Sequence, residues 1–197
     1  MNTIYFSTGN AGKFEDVRGF MQHYAKHVEL KQFSADIPEI QSYDQRAVAL
    51  AKARSAWDLL QKPVLVDDAG IYFERYDRFP GVLTKYVFKG LGSAGIKRLF
   101  EPGDRAYFLL YFVFCYGPDK YEIFESKRQG ILVDQDTFLP VPSLPYDQFF
   151  VPTGSSMTYA EMRVKDADLF YTEDVRIPAV KCFADWVEAN TTKVFQV

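Results

Sequence analysis

The chain has 197 residues, of which 48% are hydrophobic and 17% aromatic, so it has ample material for a folded core and is not disordered. Its formal net charge is −3, and its Lys and Arg residues are scattered, which disfavours a nucleic-acid-binding role. Two distant cysteines and two histidines supply neither a zinc site nor a disulfide framework. Because no window approaches a membrane span and no signal peptide is evident, we expect a cytoplasmic protein without a membrane partner.

Hydrophobic periodicity predicts alternating strands and helices in the first third of the chain. Strands are predicted at residues 3–7, 28–33 and 63–66, and helices at about 11–24 and 43–60. The third strand is predicted to stop at the pair Asp67-Asp68. A strand–helix alternation of this kind is typical of an α/β domain.

The rest of the chain is richer in β-structure and proline. A helix is predicted over residues 93–100 with Ser93 as its cap. Aromatic-rich strands over 105–116 and 120–128 are joined by the hairpin signal Gly117-Pro118-Asp119. Residues 138–152 contain four prolines and are predicted to form a stiff irregular loop, and a last helix is predicted at about 172–189.

These elements predict an α/β fold with a mixed, twisted central sheet flanked by helices. We expect one domain over residues 1–197, with a smaller second lobe formed by about residues 100–150. Because clefts between lobes are favoured ligand sites, we expect the substrate to bind between the two lobes.

The stretch from Thr8 to Lys13 (TGNAGK) ends the first strand and opens the first helix. Free backbone N–H groups and the positive end of the helix dipole favour an anion such as phosphate there. Thr8 and Asn10 add side-chain donors, and Lys13 adds a cation. Alternatively, Asn10 only caps the helix while Lys13 extends into water. We favour phosphate binding, because a lysine in the first turn opposes the dipole.

The acidic pair Asp67-Asp68 directly follows an apolar strand. In open α/β sheets, ligands bind beyond the carboxyl ends of the strands, where the turn at Thr8 would also lie. Two carboxylates beside phosphate call for a cation, and Mg²⁺ accepts ligands from both. Adjacent strand residues point in opposite directions, so one carboxylate would bind the metal while the other orients or deprotonates water. Taken alone, the pair is equally compatible with a plain acidic turn.

Lys52 lies in the predicted helix 43–60, on one face with Val48 and Ala56. A lysine on a face that packs against the sheet is partly desolvated, which is costly unless it meets an anion. For Lys52 alone, extension of the side chain to the surface is the favoured interpretation. Glu39 is a single acid in the preceding loop and, on its own, indicates no function.

The order of these motifs resembles the inosine/xanthosine triphosphate pyrophosphatase family, whose members remove deaminated purine nucleotides. The family motif T-G-N-x-x-K is present at Thr8 to Lys13, and V-L-x-[DE]-D is present at Val64 to Asp68. Further matches lie at Pro80-Gly81 and, for the pattern Y-D-P-x-F-x-P-x-G…T-x-A-E, at Tyr146, Asp147, Phe150, Pro152, Gly154, Thr158, Ala160 and Glu161. The matches keep the family's order and spacing from residue 3 to about residue 162.

The resemblance implies a Mg²⁺-dependent hydrolase that converts a (deoxy)nucleoside triphosphate, typically ITP, dITP or XTP, into the monophosphate and pyrophosphate. It also implies a homodimer and a role in nucleotide metabolism. Its site residues fall into four groups. Asp68 and Lys52 would be catalytic; Thr8, Gly9, Asn10, Lys13, Lys52 and Lys85 would bind phosphate; Glu39, Asp68 and Asp67 would hold the metal; and Leu144, Tyr146, Asp147 and Arg176 would lie at the base.

The part of the pattern that reads the base departs from the family. The family's G-F-G-[YW]-D, in which Phe stacks on the purine, is replaced by residues 143–147 (SLPYD), and its S-H-R is replaced by residues 174–176 (DVR). The Ser or Thr that follows the acidic pair is Ala69. Loss of a stacking ring costs about 1–3 kcal/mol of base binding. Two alternatives therefore stand: the same reaction on another base, or a nucleotide-binding protein that is not an enzyme.

Overall fold

The computed structural model describes residues 2–134 and 144–195. The strands of this part of the chain are β1 (Asn2–Ser7), β2 (Val28–Phe33), β3 (Val64–Phe73), β4 (Arg105–Gly117), β5 (Lys120–Leu132) and β6 (Phe150–Pro152). Its helices are α1 (Ala11–Tyr24), α2 (Gln45–Leu60), α3 (Thr84–Ile96), α4 (Tyr159–Lys165), α5 (Ala167–Glu173), α6 (Arg176–Ala189) and α7 (Thr191–Phe195). None of these helices has the length and apolar character needed to span a membrane.

The six strands form one mixed sheet in the order β2-β1-β3-β4-β5-β6. β1 pairs in parallel with β2 and β3, whereas β5 and β6 are antiparallel. A two-residue turn, Pro118-Asp119, joins β4 to β5, as the hairpin signal predicted. The predicted α/β fold with a mixed central sheet and flanking helices is therefore confirmed.

By its internal contacts the chain divides into two compact units. The first comprises Met1–Asp68, Leu110–Ser126 and Arg176–Val197, and the second comprises Ala69–Leu109 and Lys127–Val175. The expectation of one domain with a second lobe at about residues 100–150 stays a prediction. The predicted irregular loop at 138–152 is only partly described, because residues 135–143, including Ser143, lie outside the described ranges. Its described part contains a 3₁₀ turn, Pro145–Gln148, and β6, so the prediction was wrong there.

Small residues allow α2 to pack closely on the sheet in the first unit. Ala49, Ala53 and Ala56 share one face of α2, since they are spaced by four and three residues. They form one buried cluster with Val64, Val66, Val113 and Cys115. Asp44 caps α2 by accepting a hydrogen bond from the backbone N–H of Ala47, so the helix begins at Gln45 rather than near residue 43.

Aromatic side chains form the core of the second unit. The rings of Phe108 and Phe150 meet edge to face with centroids 4.9 Å apart, and Tyr159 contacts both. Tyr159 is also the first residue of α4, whose start is fixed by a capping box between Thr158 and Glu161. α4, which brings Tyr159 into this core, was not predicted from the sequence.

Several predicted element boundaries were wrong. The strand predicted to stop at Asp67 continues to Phe73, so the acidic pair lies inside β3 and is not a turn. α3 already begins at Thr84; Ser93 follows a break at Gly92, whose φ of 60° and ψ of −178° only glycine adopts readily. The predicted helix at 172–189 is divided into α5 and α6, because the extended backbone of Asp174 interrupts it.

Candidate active site

The turn after β1 is organised by side chains that bond to its own backbone. Asn10 caps α1, its Oδ1 accepting a hydrogen bond from the backbone N–H of Lys13 at 3.0 Å. Thr8 Oγ1 accepts one from the backbone N–H of Asn10 at 3.1 Å. Gly9, between them, is exposed. Asn10 therefore caps the helix, as the alternative interpretation held, and the turn is fixed before any ligand arrives.

Lys13 does not extend into water. Its Nζ donates a hydrogen bond to Asp67 Oδ1 at 2.8 Å, and 21% of its side chain is exposed. The pairing with Asp67 offsets the unfavourable position of a lysine in the first turn of a helix. Lys13 thus joins the N-terminus of α1 to β3.

Asp67 is enclosed between two cations. Its Oδ1 faces Lys13, and its Oδ2 accepts a hydrogen bond from Arg176 Nε at 3.1 Å. Only 1% of the Asp67 side chain is exposed. Burial alone would raise the pKa of this carboxyl, but the charges of Lys13 and Arg176 outweigh it and lower the pKa to about 2. Asp67 is therefore a permanent anion at neutral pH.

Asp68 is in the opposite electrostatic situation. Burial raises the pKa of its carboxyl above 3.8; Lys13 and Lys52 lower it, while Asp67 and Glu39 raise it. Its backbone carbonyl accepts a hydrogen bond from Gln45 Nε2 at 2.9 Å. Gln45 is buried, at the first position of α2. Sequence reasoning missed this contact, and its only signal was a polar residue directly after the cap of the helix.

Lys52 meets an anion, which is the condition under which partial burial of a lysine is tolerated. Its Nζ lies 3.3 Å from Glu39 Oε1, and 19% of the Lys52 side chain is exposed. Val48 and Ala56, which share its helix face, are buried, as the helical spacing predicted. The first unit thus brings together six charged side chains predicted for the site: Lys13, Glu39, Lys52, Asp67, Asp68 and Arg176.

The remaining predicted residues belong to the second unit. Lys85 is exposed on α3, with its Nζ 5.6 Å from the centroid of the Tyr86 ring. Tyr146 is buried, and its hydroxyl donates a hydrogen bond to the carbonyl oxygen of Thr84 at 3.1 Å. Burial raises the pKa of the Tyr146 phenol well above its ordinary value. Tyr146 is therefore a packed core residue of its unit.

Asp147 is buried beside Tyr146, and its Oδ2 accepts hydrogen bonds from Nε and Nη2 of Arg163, both at 3.0 Å. Leu144 is partly exposed. Three of the four predicted base-binding residues thus lie in or next to the short 3₁₀ turn Pro145–Gln148 of the second unit, while Arg176 belongs to the first. Their role at the base stays a prediction.

Comparison with known proteins identifies the family of this chain. Residues 4–183 match the model of the Ham1 family. The chain belongs to the Ham1 family. It is 29% identical over 189 residues to the dITP/XTP pyrophosphatase of Methanopyrus kandleri, covering 95% of this chain and 97% of that protein. It is also 34% identical over 163 residues to inosine triphosphate pyrophosphatase 2 of Trypanosoma cruzi, covering 79% of each.

The fold agrees with that of a solved Ham1 protein. The Coxiella burnetii HAM1 protein superposes with a TM-score of 0.73 at 17% identity, covering 96% of this chain and all of that one. The resemblance inferred from the order of the motifs is therefore confirmed, and so is the mixed α/β fold.

Pyrophosphatases of the Ham1 family generally use a divalent metal. Among the described residues, no cluster of three or more His, Cys, Asp or Glu is arranged to hold a metal. The charge of Glu39 contributes to the raised pKa of the Asp68 carboxyl, so the two carboxylates lie within electrostatic reach of each other. Mg²⁺ typically binds one or two carboxylates and takes its other ligands from water and substrate phosphates. A divalent cation would also relieve the cost of burying the Asp68 charge.

Proposed function

We propose that this Ham1 family member is a nucleoside triphosphate pyrophosphatase that acts on deaminated purine nucleotides such as ITP, dITP and XTP. One observation carries the proposal: the partly buried carboxylate of Asp68 lies within the electrostatic reach of both Lys13 and Lys52. A carboxylate between two lysines suits a metal–triphosphate complex, which brings both charge signs. The curated relatives named as dITP/XTP and inosine triphosphate pyrophosphatases support the choice of substrate.

The triphosphate would lie against the turn after β1. Gly9 would present its backbone N–H near the N-terminus of α1, where an anion is favoured. The backbone N–H groups of Thr8 and Asn10 already donate to Phe33 O and Thr8 Oγ1, so these two residues would contribute side-chain donors. Lys13 and Lys52 would add positive charge, with Lys52 exchanging Glu39 for a phosphate oxygen. Lys85 is a further candidate for phosphate binding, since its side chain is exposed on α3.

Glu39 and Asp68 would hold Mg²⁺. When bound, the metal would neutralise charge on the phosphate oxygens and polarise the phosphorus that is attacked. Release of Glu39 from Lys52 would free both side chains for their separate ligands, the metal and the phosphate. The nearby positive charge of Lys52 would then stabilise the pyrophosphate as it leaves.

The reaction would begin with a water molecule that Asp68 orients toward the α-phosphorus. The water oxygen would form a bond to this phosphorus while the bond to the bridging oxygen of the β-phosphate breaks. Asp68 would accept the proton of the water. The products would be a nucleoside monophosphate and pyrophosphate.

A second candidate keeps this chemistry and changes the base. Leu144 takes the position at which the family stacks a Phe on the purine, and Tyr146 is held by Thr84 through its hydroxyl. An aliphatic side chain gives less stacking energy and so less preference for a purine. Faster hydrolysis of GTP or dTTP than of ITP or XTP would support this candidate.

A pyrophosphate-release panel tests both candidates. Wild type would be assayed with ITP, dITP, XTP, GTP, ATP and dTTP, with Mg²⁺ or with EDTA. Asp68→Asn is the inactive variant, and Asp185→Asn, an exposed aspartate on α6, is the matched control. We expect Mg²⁺-dependent release that Asp68→Asn lowers by about 100-fold or more and Asp185→Asn leaves intact. Tight nucleotide binding with no turnover would refute the enzyme and favour the non-catalytic alternative.

The assembly and location that accompany this function are proposals too. We propose a homodimer in the cytoplasm, on the basis of the resemblance to the family. Size-exclusion chromatography with light scattering would measure the mass of the particle against the 22.7 kDa of one chain. A particle with the mass of one chain at micromolar concentration would contradict the dimer.

A further inference from the structure

The environment of Asp67 argues against direct metal binding. Both of its oxygens accept hydrogen bonds, one from Lys13 and one from Arg176, and only 1% of its side chain is exposed. Mg²⁺ dehydrates reluctantly and usually keeps several waters, so a ligand must have open space beside it. Asp68, the next residue, has a partly accessible side chain, and side chains of adjacent strand residues point to opposite faces. The two carboxylates of the pair are therefore not equivalent.

The two partners of Asp67 share an unusual position. Lys13 lies in the first turn of α1, and Arg176 is the first residue of α6. A cation in the first turn of a helix opposes the helix dipole, so each of these residues requires an anion nearby. Helices α1 and α6 pack against each other within the first unit. A single buried carboxylate, Asp67, satisfies both cations.

Lys13 remains able to bind a ligand while it is held. An ammonium group carries three N–H donors, and Asp67 is its hydrogen-bond partner within the described ranges. Because 21% of its side chain is exposed, Lys13 remains accessible to a ligand from solvent. The fixed ammonium leaves donors for an incoming anion.

We propose that Asp67 is a positioning residue that holds Lys13 for the triphosphate, and that Arg176 holds Asp67 in turn. This inference rests on the proposed function and deepens it. In this proposal Arg176 supports phosphate binding through Asp67 instead of binding the base, as the resemblance to the family had implied. It also takes Asp67 out of the metal ligands and leaves Glu39 and Asp68 in that role.

The first test measures binding of inorganic tripolyphosphate, which has no base, by calorimetry in EDTA. If Asp67 positions Lys13, Asp67→Asn and Asp67→Glu should each bind about 10-fold more weakly than wild type. If Asp67 only reduces local positive charge, Asp67→Asn should bind more tightly and Asp67→Glu should match wild type. The second result, or wild type that does not bind tripolyphosphate, would overturn the proposal.

The second test distinguishes an effect on phosphate binding from an effect on base recognition or on metal binding. Arg176→Lys keeps the charge and should raise KM by the same factor for ITP and XTP, with Lys181→Met on α6 as control. Asp67→Glu should raise KM while the Mg²⁺ concentration for half-maximal rate stays within about 3-fold of wild type. The proposal would be contradicted if Arg176→Lys changed KM for one base and not for the other. A 10-fold or larger shift in the Mg²⁺ concentration for half-maximal rate of Asp67→Glu would contradict it as well.

Arg176→Lys and Asp67→Glu keep the charge of the residue that they replace, so these variants are expected to fold. Circular dichroism would check that each variant is folded. Failure of the proposed function has a different signature. In that case wild type releases no pyrophosphate from any nucleotide, while the tripolyphosphate measurement still decides whether Asp67 positions Lys13.

Discussion

Lys13 and Asp67 are 54 residues apart in the sequence and are joined by a 2.8 Å hydrogen bond. The bond links the helix that follows β1 to the strand that carries the acidic pair. Because β1 and β3 are parallel, with Phe6 opposite Leu65, continuing the register places Thr8 level with Asp67. The turn at Thr8 and the acidic pair are thus neighbours through the sheet itself.

Replacing Lys13 should therefore affect both stability and activity. Lys13→Met leaves Asp67 with Arg176 as its remaining cation, and should lower the unfolding free energy by about 1–3 kcal/mol. It should also lower kcat/KM by about 100-fold, since the proposed contact of Lys13 with phosphate would be lost. Urea denaturation and pyrophosphate release would measure the two effects.

Arg18→Met is the control on the same helix. Arg18 pairs with Glu15 at the surface, where ion pairs contribute about 0–1 kcal/mol. Equal losses of stability for Lys13→Met and Arg18→Met would contradict the buried bridge.

The stability of the protein should depend on the ionisation of Asp67. Its pKa is about 2 in the folded chain against an ordinary value of 3.8, so ionisation favours the folded state. At about 1.4 kcal/mol per pKa unit, this contribution is of the order of 2 kcal/mol. It is complete well above pH 3.8 and is lost as the pH falls from about 4 toward 2.

Denaturant titrations of wild type and Asp67→Asn in EDTA, between pH 7 and pH 3, would measure this contribution. The difference in unfolding free energy should be largest at neutral pH and should shrink on acidification. A difference that is constant over this range would mean that Asp67 acts through packing and not through its charge.

Asp68→Asn should have opposite effects on activity and stability. Burial raises the pKa of the Asp68 carboxyl, so holding it ionised at neutral pH destabilises the folded state without a metal. The neutral amide removes that penalty, and the variant should melt at a higher temperature than wild type in EDTA. Turnover should nevertheless fall by about 100-fold or more.

Differential scanning calorimetry with and without Mg²⁺ tests the predicted effect of Asp68→Asn on the melting temperature. Mg²⁺ should raise the melting temperature of wild type more than that of Asp68→Asn, because binding to the folded state alone stabilises it. A variant that melts below wild type in EDTA would show that Asp68 is held by contacts rather than strained by burial.

Local patterns were sufficient to predict the elements around the site. The ends of α1 and β2 follow from hydrophobic spacing, a capping residue and alternation, all of which act within a few residues. The acidic pair was harder, because Asp-Asp-Ala-Gly has the composition of a turn. The strand continues through it, since Lys13 and Arg176 compensate the Asp67 charge inside the sheet.

Contacts between distant segments were beyond sequence reasoning. The bond between Asp67 and Arg176 spans 109 residues, and no local pattern indicates that these two side chains meet. The helix break at Asp174 was missed for a related reason, since the residues on either side of it favour helix. The helical segment before Gly92 was missed because Gly90 and Gly92 have low helix propensity.

The pairing of β5 with β6 should be sensitive to a single methyl group. Gly130 lies opposite Pro152, and a Cβ at this position would be 2.2 Å from the carbonyl oxygen of Val151 and 2.6 Å from the Phe150 ring. The neighbouring backbone cannot move away cheaply, so Gly130→Ala should lower the unfolding free energy by about 1–3 kcal/mol.

Gly90→Ala is the matched control with the opposite sign. Gly90 lies within α3, and apart from its neighbours in the helix no atom of the described residues lies within 4 Å of a Cβ placed there. Alanine loses less backbone entropy on folding than glycine, so this variant should gain about 0.5–1 kcal/mol. Urea denaturation of the two variants beside wild type would measure both changes. If both substitutions shifted stability in the same direction, crowding at the β5–β6 pair would not be the cause of the effect.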